Sequence, residues 1–408
     1  MSKHKIYLDY AATTPIDPSV FKAMEPYLKD KYGNPSSIHS FGQETQAAIE
    51  IAREKVAKFL NCKPLEIVFT GSASESDNLA IRGLVKGLQR AKRSGGKTHI
   101  ITSKIEHKAV LETCKDLEKE GIKITYLPVG SDGLINLGDL EAEIIPETDL
   151  VSIMYFNNEV GSVQPIKKIG KLIADINRNK EHTPPHQKFG GGGKIYFHTD
   201  AVQAANWFKL DVNELGVDLL TLSGHKIYGP KGVGTLYIRQ GTPISSLITG
   251  GDHEWGLRAG TENVAGIVGI GTAVAEIRST KPETRNKIEK LREKLVKEVL
   301  KIKGSKLNGP TKKENRTPHI ANFSFRGIEG EGLVMLLDQE GIAVSTGSAC
   351  TSKALMPSHV LMAMGLLELE AHSSLRVSLG KYTTMQEIDY FLKVLPEAVE
   401  RLRKISGR

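Results

Sequence analysis

Short apolar runs alternate with stretches of helical period along most of the chain. Runs at 66–69, 99–102, 123–127, 150–156, 195–198, 218–223 and 233–238 predict seven strands. Helical stretches accompany them, as at 47–60, where Ala48, Ile51, Ala52, Val56, Phe59 and Leu60 form one stripe. Strand–helix alternation implies an α/β body with a mostly parallel sheet covered on both faces. Ligands of such a sheet bind at the carboxyl ends of its strands.

After Gly260 the pattern changes. A run of apolar and small residues at 264–277 leads past Pro282 into a charged amphipathic helix. That helix carries Ile288, Leu291, Leu295, Val299 and Ile302 and is expected to close at Gly304. Short strands at 322–325, 342–345 and 375–379 then predict a second, smaller α+β domain. The boundaries expected are a large domain at 17–280 and a small C-terminal one at 281–408, with the arm 1–16 packed on the latter. The segment 177–194 holds Pro184, Pro185 and four consecutive glycines, and is expected to be a surface loop. His182 and His186 stand four apart there, but the prolines between them forbid a shared helical face, so no metal site is expected.

Composition narrows the class. The 408 residues allow roughly two domains. A net charge of +8 comes from 55 basic and 47 acidic residues mixed along the chain, with no basic tail or aromatic-interleaved basic run, so no nucleic-acid footprint is expected. Three cysteines without a C-x-x-C pair argue for a reducing compartment rather than a disulfide framework. The N-terminus lacks a signal-peptide core, and no window reaches the run of about 18 apolar residues that spans a bilayer. A cytoplasmic protein without a membrane partner is expected.

Cys350 stands out chemically. It lies in the polar stretch Ser-Thr-Gly-Ser-Ala-Cys-Thr-Ser-Lys (345–353), whereas structural cysteines belong in apolar surroundings. A thiol with a pKa of about 8.5 is only a few per cent thiolate at neutral pH, so a nucleophilic Cys350 needs an activated partner. Cys114, on a stripe with Val110, Leu111 and Leu117, reads as core, and Cys62, before Pro64, has no assigned role.

Three further features bear on that partner. Lys226 follows the strand at 218–223 in a small-residue turn, where its amine can form a Schiff base with a carbonyl cofactor; taken alone, it reads as a solvated lysine. Asp200 ends another strand and suits a protonated pyridine nitrogen; alternatively it caps a following helix, with Gln203 completing a capping box. Thr-Gly-Ser-Ala-Ser-Glu-Ser (70–76), between a strand and a helix expected near Glu75, is either an anion cradle or a plain capped helix start. Lysine, aspartate and cradle together are what pyridoxal 5′-phosphate requires.

The residues at this point resemble a known family. Tyr-Leu-Asp-Tyr-Ala-Ala-Thr-Thr-Pro (7–15), Gly-Asn-Pro-Ser-Ser (33–37), Glu-Ser-Asp-Asn-Leu-Ala (75–80), Glu-His-Lys-Ala-Val (106–110) and Asn-Asn-Glu-Val-Gly (157–161) carry the resemblance. It continues through Ser-Gly-His-Lys-Ile-Tyr-Gly-Pro-Lys-Gly (223–232), Arg-Ala-Gly-Thr (258–261), Gly-Ser-Ala-Cys-Thr-Ser (347–352) and Ser-Ser-Leu-Arg-Val-Ser-Leu-Gly (373–380). Over nearly its whole length the chain resembles the cysteine desulfurases of the class-V aminotransferase superfamily, in particular the iron–sulfur-cluster and nitrogen-fixation sulfur donors.

That resemblance implies the pyridoxal-phosphate-dependent transferase fold type I and a set of roles. Lys226 would hold the cofactor and move protons at the substrate carbon, and His107 would stack on the ring as a further acid/base group. Asp200 would pair with the ring nitrogen, with Gln203 and Asn158 near the ring oxygen. Ala73, Ser74, Ser223 and His225 match phosphate-binding positions, and Thr261 one supplied by the neighbouring subunit of a homodimer. Arg376, helped by Asn158, would clamp the carboxylate of L-cysteine. The thiolate of Cys350 would take the substrate sulfur as a persulfide, leaving L-alanine, and pass it to an iron–sulfur scaffold or other acceptor protein.

The sequence departs from the family in four places. The 177–194 segment is longer than usual, Asp252 stands where glycine is common, Ser74 replaces threonine, and the scaffold-docking tail of relatives is expected to be shortened or absent. The alternatives are another class-V aminotransferase, a selenocysteine lyase, or a non-catalytic sulfur-relay platform. An aminotransferase has no need of Cys350, and a platform has none of Lys226, His107 and Arg376.

Overall fold

The computed structural model describes residues 5–91, 98–182, 193–279, 282–347 and 356–406. The strands in chain order are β1 (Ile6–Tyr7), β2 (Ile67–Thr70), β3 (His99–Ser103), β4 (Lys123–Leu127), β5 (Thr148–Ser152) and β6 (Tyr196–Asp200). They continue with β7 (Leu219–Ser223), β8 (Gly234–Ile238), β9 (Ser305–Asn308), β10 (Ile320–Phe325), β11 (Ile342–Ala343) and β12 (Ser374–Ser378).

All seven expected strands of the α/β body join one sheet in the order β2-β8-β7-β6-β5-β3-β4. Only β8 runs against its neighbours, so the sheet is mostly parallel. Most of its strands are buried along their full length, which is why they read as continuous apolar runs rather than alternating ones. The expected strand at 150–156 ends at Ser152. Beyond it Ile153 and Tyr155 still donate to His198 O and Asp200 O, while the Met154 N–H between them turns to the Glu106 carboxylate.

One face of the sheet is covered by helices Ser40–Leu60 and Val264–Ser279, which approach closely where Gly271 meets Ala52. The first of these begins at Ser40, earlier than the apolar stripe suggests, because His39 caps it. Helix Pro282–Val299 buries Ile288, Leu291, Leu295 and Val299 as expected, but it ends before Ile302, and turns carry the chain to Gly304.

A second sheet, β12-β10-β9, is antiparallel. Beside it the N-terminal arm pairs β1 in parallel with β11. Pattern alone does not assign β1, β9 or the helices Pro18–Lys29 and Met385–Ile405. The segment 177–194 is not wholly a loop. Helix Ile166–His182 runs into it, and Asn177 exchanges two 2.9 Å hydrogen bonds with the Ile195 backbone, while 183–192 fall outside the described residues.

Candidate active site

The site is built at the carboxyl ends of β6 and β7. Asp200 closes β6 beside Thr221 of β7. Its Oδ1 accepts the Val202 N–H at 2.9 Å, but turns follow rather than a helix. No capping box forms, because Gln203 Nε2 donates to Ala11 O at 2.9 Å. Ser223 closes β7, and a tight 3-10 turn over Gly224–Lys226 delivers Lys226 to the same crevice. The Lys226 Nζ donates to the carbonyls of Ala11 and Ala12 at 2.6 and 2.7 Å.

Opposite, β2 runs out at Thr70 and Ser72 caps a helix that begins at Ala73, two residues ahead of Glu75. Ser72 Oγ accepts from Glu75 N–H and Ser72 O from Ser76 N–H. The Ala73 and Ser74 N–H groups therefore stand ahead of the first intrahelical bond, the position that favours an anion. Gly234 permits this approach, since a Cβ there would lie 2.5 Å from the Ser72 carbonyl carbon. His225 completes the wall, with Nδ1 3.1 Å from Thr13 Oγ1; burial, then the charge of Lys226, pushes its imidazole down to about 4.

A cavity of about 500 Å³ joins these groups. Ala73, Ser74, His107, Asn158, Asp200, Gln203, Ser223, His225, Lys226 and Arg376 all line it, although they come from segments spread over some 300 residues of chain. His107 caps helix Lys108–Lys119, its Nδ1 accepting from Ala109 N–H at 3.2 Å. It is thus both a capping histidine and a wall of the cavity. That bond leaves Nε2 as the nitrogen that carries the proton of the neutral ring. Burial holds the His107 imidazole below its ordinary range. Arg376, on β12, is 3% exposed; its Nη1 donates to Asn158 O at 3.1 Å and its Nη2 to Asp9 Oδ1 at 2.7 Å.

Charge beneath the cavity is unusual. Burial pushes the Asp200 carboxyl up, against the pull of His107, the Val202 N–H and Lys226. Asp77 is pushed well above its ordinary value by burial and then by Asp200. Its Oδ1 has no hydrogen-bond partner among the described residues and lies 3.6 Å from His198 Nε2. Burial lowers His198 to about 3, so that ring is neutral. Glu106, under His107, is raised by burial to about 8 despite bonds from Ser103 Oγ and the Met154 N–H. Such a floor of buried carboxyls favours a ligand that brings a positive charge. With an amine at Lys226 and anion-binding N–H groups at Ala73 and Ser74, the cavity suits a flat ligand bearing a carbonyl, an anionic arm and a basic ring nitrogen.

Cys350 lies outside the described residues, though Gly347, at the near edge of its segment, lines the cavity. Thr261 is exposed and is not among the residues lining the cavity. Cys114 is fully buried, and burial raises the thiols of Cys114 and Cys62 to about 12, which keeps both protonated at neutral pH. Among the described residues no cluster of His, Cys, Asp and Glu could hold a metal ion, and no helix is long and apolar enough to cross a membrane. Sequence reasoning missed Ala11, Ala12 and Thr13 as walls of the cavity, and Asp77 beneath it. The motifs at 7–15 and 75–80 were the available signal, but a local pattern does not say what an arm touches.

Comparison with known proteins gives the family. The aminotransferase class-V family matches residues 6–391. The cysteine desulfurase IscS of Dictyoglomus turgidum is 49% identical over 405 residues, covering 99% of this chain and 97% of its own. The solved structure of a NifS-like protein superposes with a TM-score of 0.87 at 40% identity, covering 98% of this chain and all of the other. A structure of SspA in complex with cysteine has a TM-score of 0.77 at 38% identity, covering 93% of this chain and 100% of its own.

Proposed function

Because the chain belongs to the class-V aminotransferase family, we propose that it is a cysteine desulfurase, converting L-cysteine to L-alanine and leaving the sulfur as a persulfide on Cys350. The observation that carries this reading is the convergence of Lys226, Asp200, His107 and Arg376 on one cavity.

The residues fit pyridoxal 5′-phosphate. Ala73, Ser74, Ser223 and His225 would hold its phosphate, with Thr261 of a second copy completing that site in a homodimer. Asp200, a carboxyl raised by burial, would hold the ring nitrogen, and Gln203 and Asn158 would flank the ring oxygen. Lys226 would attach it covalently through Nζ. When bound, this group supplies an electron sink for bond breaking at the substrate carbon.

The chain's own residues do the rest. Arg376 binds the substrate carboxylate and sets the amino acid's orientation. Lys226 Nζ, once released, moves the proton of the α carbon. His107 stays neutral and exchanges its proton at Nε2. Cys350 Sγ, as thiolate, attacks the substrate sulfur. A sulfur–sulfur bond forms and the carbon–sulfur bond breaks, its electron pair staying with the carbon skeleton, which takes up protons and leaves as L-alanine. The persulfide then passes to an iron–sulfur scaffold or another acceptor protein in the cytoplasm. In this reading residues 17–280 form the cofactor-binding domain, and 281–408 the small domain that brings Cys350 and Arg376.

The test is an assay of alanine and sulfide from L-cysteine with added pyridoxal phosphate, with and without a thiol reductant. Cys350→Ala should keep the bound cofactor's absorbance and form no persulfide. Continued cysteine-to-alanine turnover in that variant would remove Cys350 from the mechanism. A protein that stays colourless with the cofactor would remove the whole reading.

A further inference from the structure

The guanidinium of Arg376 is fixed from two sides before any substrate arrives. Its Nη2 donates to Asp9 Oδ1 at 2.7 Å and its Nη1 to the Asn158 carbonyl at 3.1 Å, while its buried Nε has no partner among the described residues. An arginine carries five N–H donors, and two parallel ones grip a carboxylate. A single contact from Asp9 therefore leaves gripping capacity on the cavity side.

Asp9 is itself held by backbone. Leu8 N–H donates to Ala343 O at 2.9 Å, Ser378 N–H to Leu8 O at 2.8 Å, and Tyr10 N–H to Ser378 O at 3.3 Å. Asp9 thereby pairs with Ser378, two residues along β12 from Arg376 and so on the same face of that strand. A Cβ at Gly380 would stand 2.2 Å from the Tyr10 ring, so the arm lies tight against the end of β12. The same arm offers the Ala11 and Ala12 carbonyls to Lys226.

Resting on the reading of Arg376 given above, we propose that Asp9 is a positioning residue for substrate binding. Its carboxylate oxygen holds the Arg376 fork in the orientation that receives the carboxylate of the amino-acid substrate. A buried arginine without that partner turns toward other acceptors, and the fork is lost to the substrate. Asp9 touches neither cofactor nor substrate, so its effect falls on affinity rather than on the chemical step.

The experiment uses the holoenzyme with Asp9→Ala, Asp9→Asn and Arg376→Lys. Steady-state kinetics with L-cysteine are read beside a spectral titration of the bound cofactor with L-alanine. Removing a hydrogen bond to a charged group predicts that Asp9→Ala raises KM and the L-alanine Kd by roughly 10-fold or more, with kcat within about 2-fold and the resting spectrum unchanged. Asp9→Asn keeps an acceptor oxygen and should stay within about 3-fold of the parent. An unchanged or lowered KM in Asp9→Ala overturns the proposal, the lowered value meaning that Asp9 competes with substrate. Equal impairment of both Asp9 variants, or loss of bound cofactor in both, overturns it as well. An Arg376→Lys variant with unaltered KM would instead bring down the reading of Arg376, a separate failure.

Discussion

Arg53 grips both carboxylate oxygens of Glu254, Nη1 to Oε2 and Nη2 to Oε1, each at 2.9 Å. The pair is buried, with side chains 4% and 3% exposed, and the Phe69 N–H adds a 2.8 Å bond to Oε2. The guanidinium sits 4.9 Å from the Phe69 ring centroid and 4.5 Å from that of Trp255. Glu254 and Trp255 both adopt the left-handed region, with φ of 48° and 56°. Two successive non-glycine residues hold that conformation only when their surroundings enforce it. The ion pair therefore fastens the 252–257 segment to helix Ser40–Leu60 and to β2.

Glu254→Ala takes the bidentate partner from a buried Arg53 and leaves it the Ile67 carbonyl and the Glu50 carboxylate, so the expected loss of stability is about 3 kcal/mol, the low end for a broken buried pair. Thermal or denaturant unfolding of the cofactor-loaded protein measures it. An unchanged midpoint would contradict the enforcing role of the pair.

Lys226 and Asp200 make a separable prediction. Borohydride reduction followed by peptide mapping should find cofactor on Lys226 in the parent and none in Lys226→Ala. Asp200→Asn should keep the covalent link, alter the cofactor's absorption, and lower turnover on the order of 10²–10³-fold, as loss of one preorganised electrostatic group does. A normal rate in Asp200→Asn would separate Asp200 from the ring nitrogen.

For His107, loss of a positioned acid/base group predicts a fall of about 10²–10⁴-fold in kcat for His107→Ala. Burial holds its imidazole below the ordinary histidine value, so it stays neutral down through about pH 6.5. The acid limb of the kcat/KM profile that belongs to His107 should accordingly lie below that pH. A limb centred above pH 7 that vanishes in the alanine variant would refute the assignment.

Glu106 predicts a pH dependence of stability. Its folded-state value is raised to about 8, against roughly 4.5 when unfolded. The folded state then binds more protons, so this contribution is complete below about pH 4.5 and is lost as pH rises through 8. His198 and His99, lowered by burial to about 3 and 4, act in the opposite sense and weaken the fold as pH falls from about 6.5. Glu106→Gln removes only the term that falls with pH, so the variant should gain melting temperature relative to the parent as pH rises from 5 to 8. Parallel pH curves for the two proteins would disprove the buried acid.

Much of the architecture was legible because strands buried on both faces leave a simple trace. Ile67–Thr70, Leu219–Ser223 and their neighbours are built mainly of apolar residues with a few buried polar ones, so the apolar runs mark them. The strands β1 and β9 left no such trace. One is two residues long and the other is Ser-Lys-Leu-Asn, and pairing with distant segments rather than composition makes each a strand. Asp200 and Gln203 match a capping box at the right spacing, yet the arm claims Gln203 through Ala11 and the turn stays unwound. A local rule is correct only while no distant group offers the same side chain a better bond.

By itself the sequence determined the α/β class, the strand-end positions of Asp200 and Lys226, and the family to which its motifs point. These are set by short-range periodicity and turn chemistry, which act over a few residues. Tertiary structure alone decided that Asp9 meets Arg376, that Ala11 and Ala12 meet Lys226, and that Asp77 is buried beneath the same cavity as Asp200. The contacts of Asp9 and of Ala11 and Ala12 join residues more than 200 positions apart, and only packing of the arm against the ends of β12 and β7 brings them within hydrogen-bond reach.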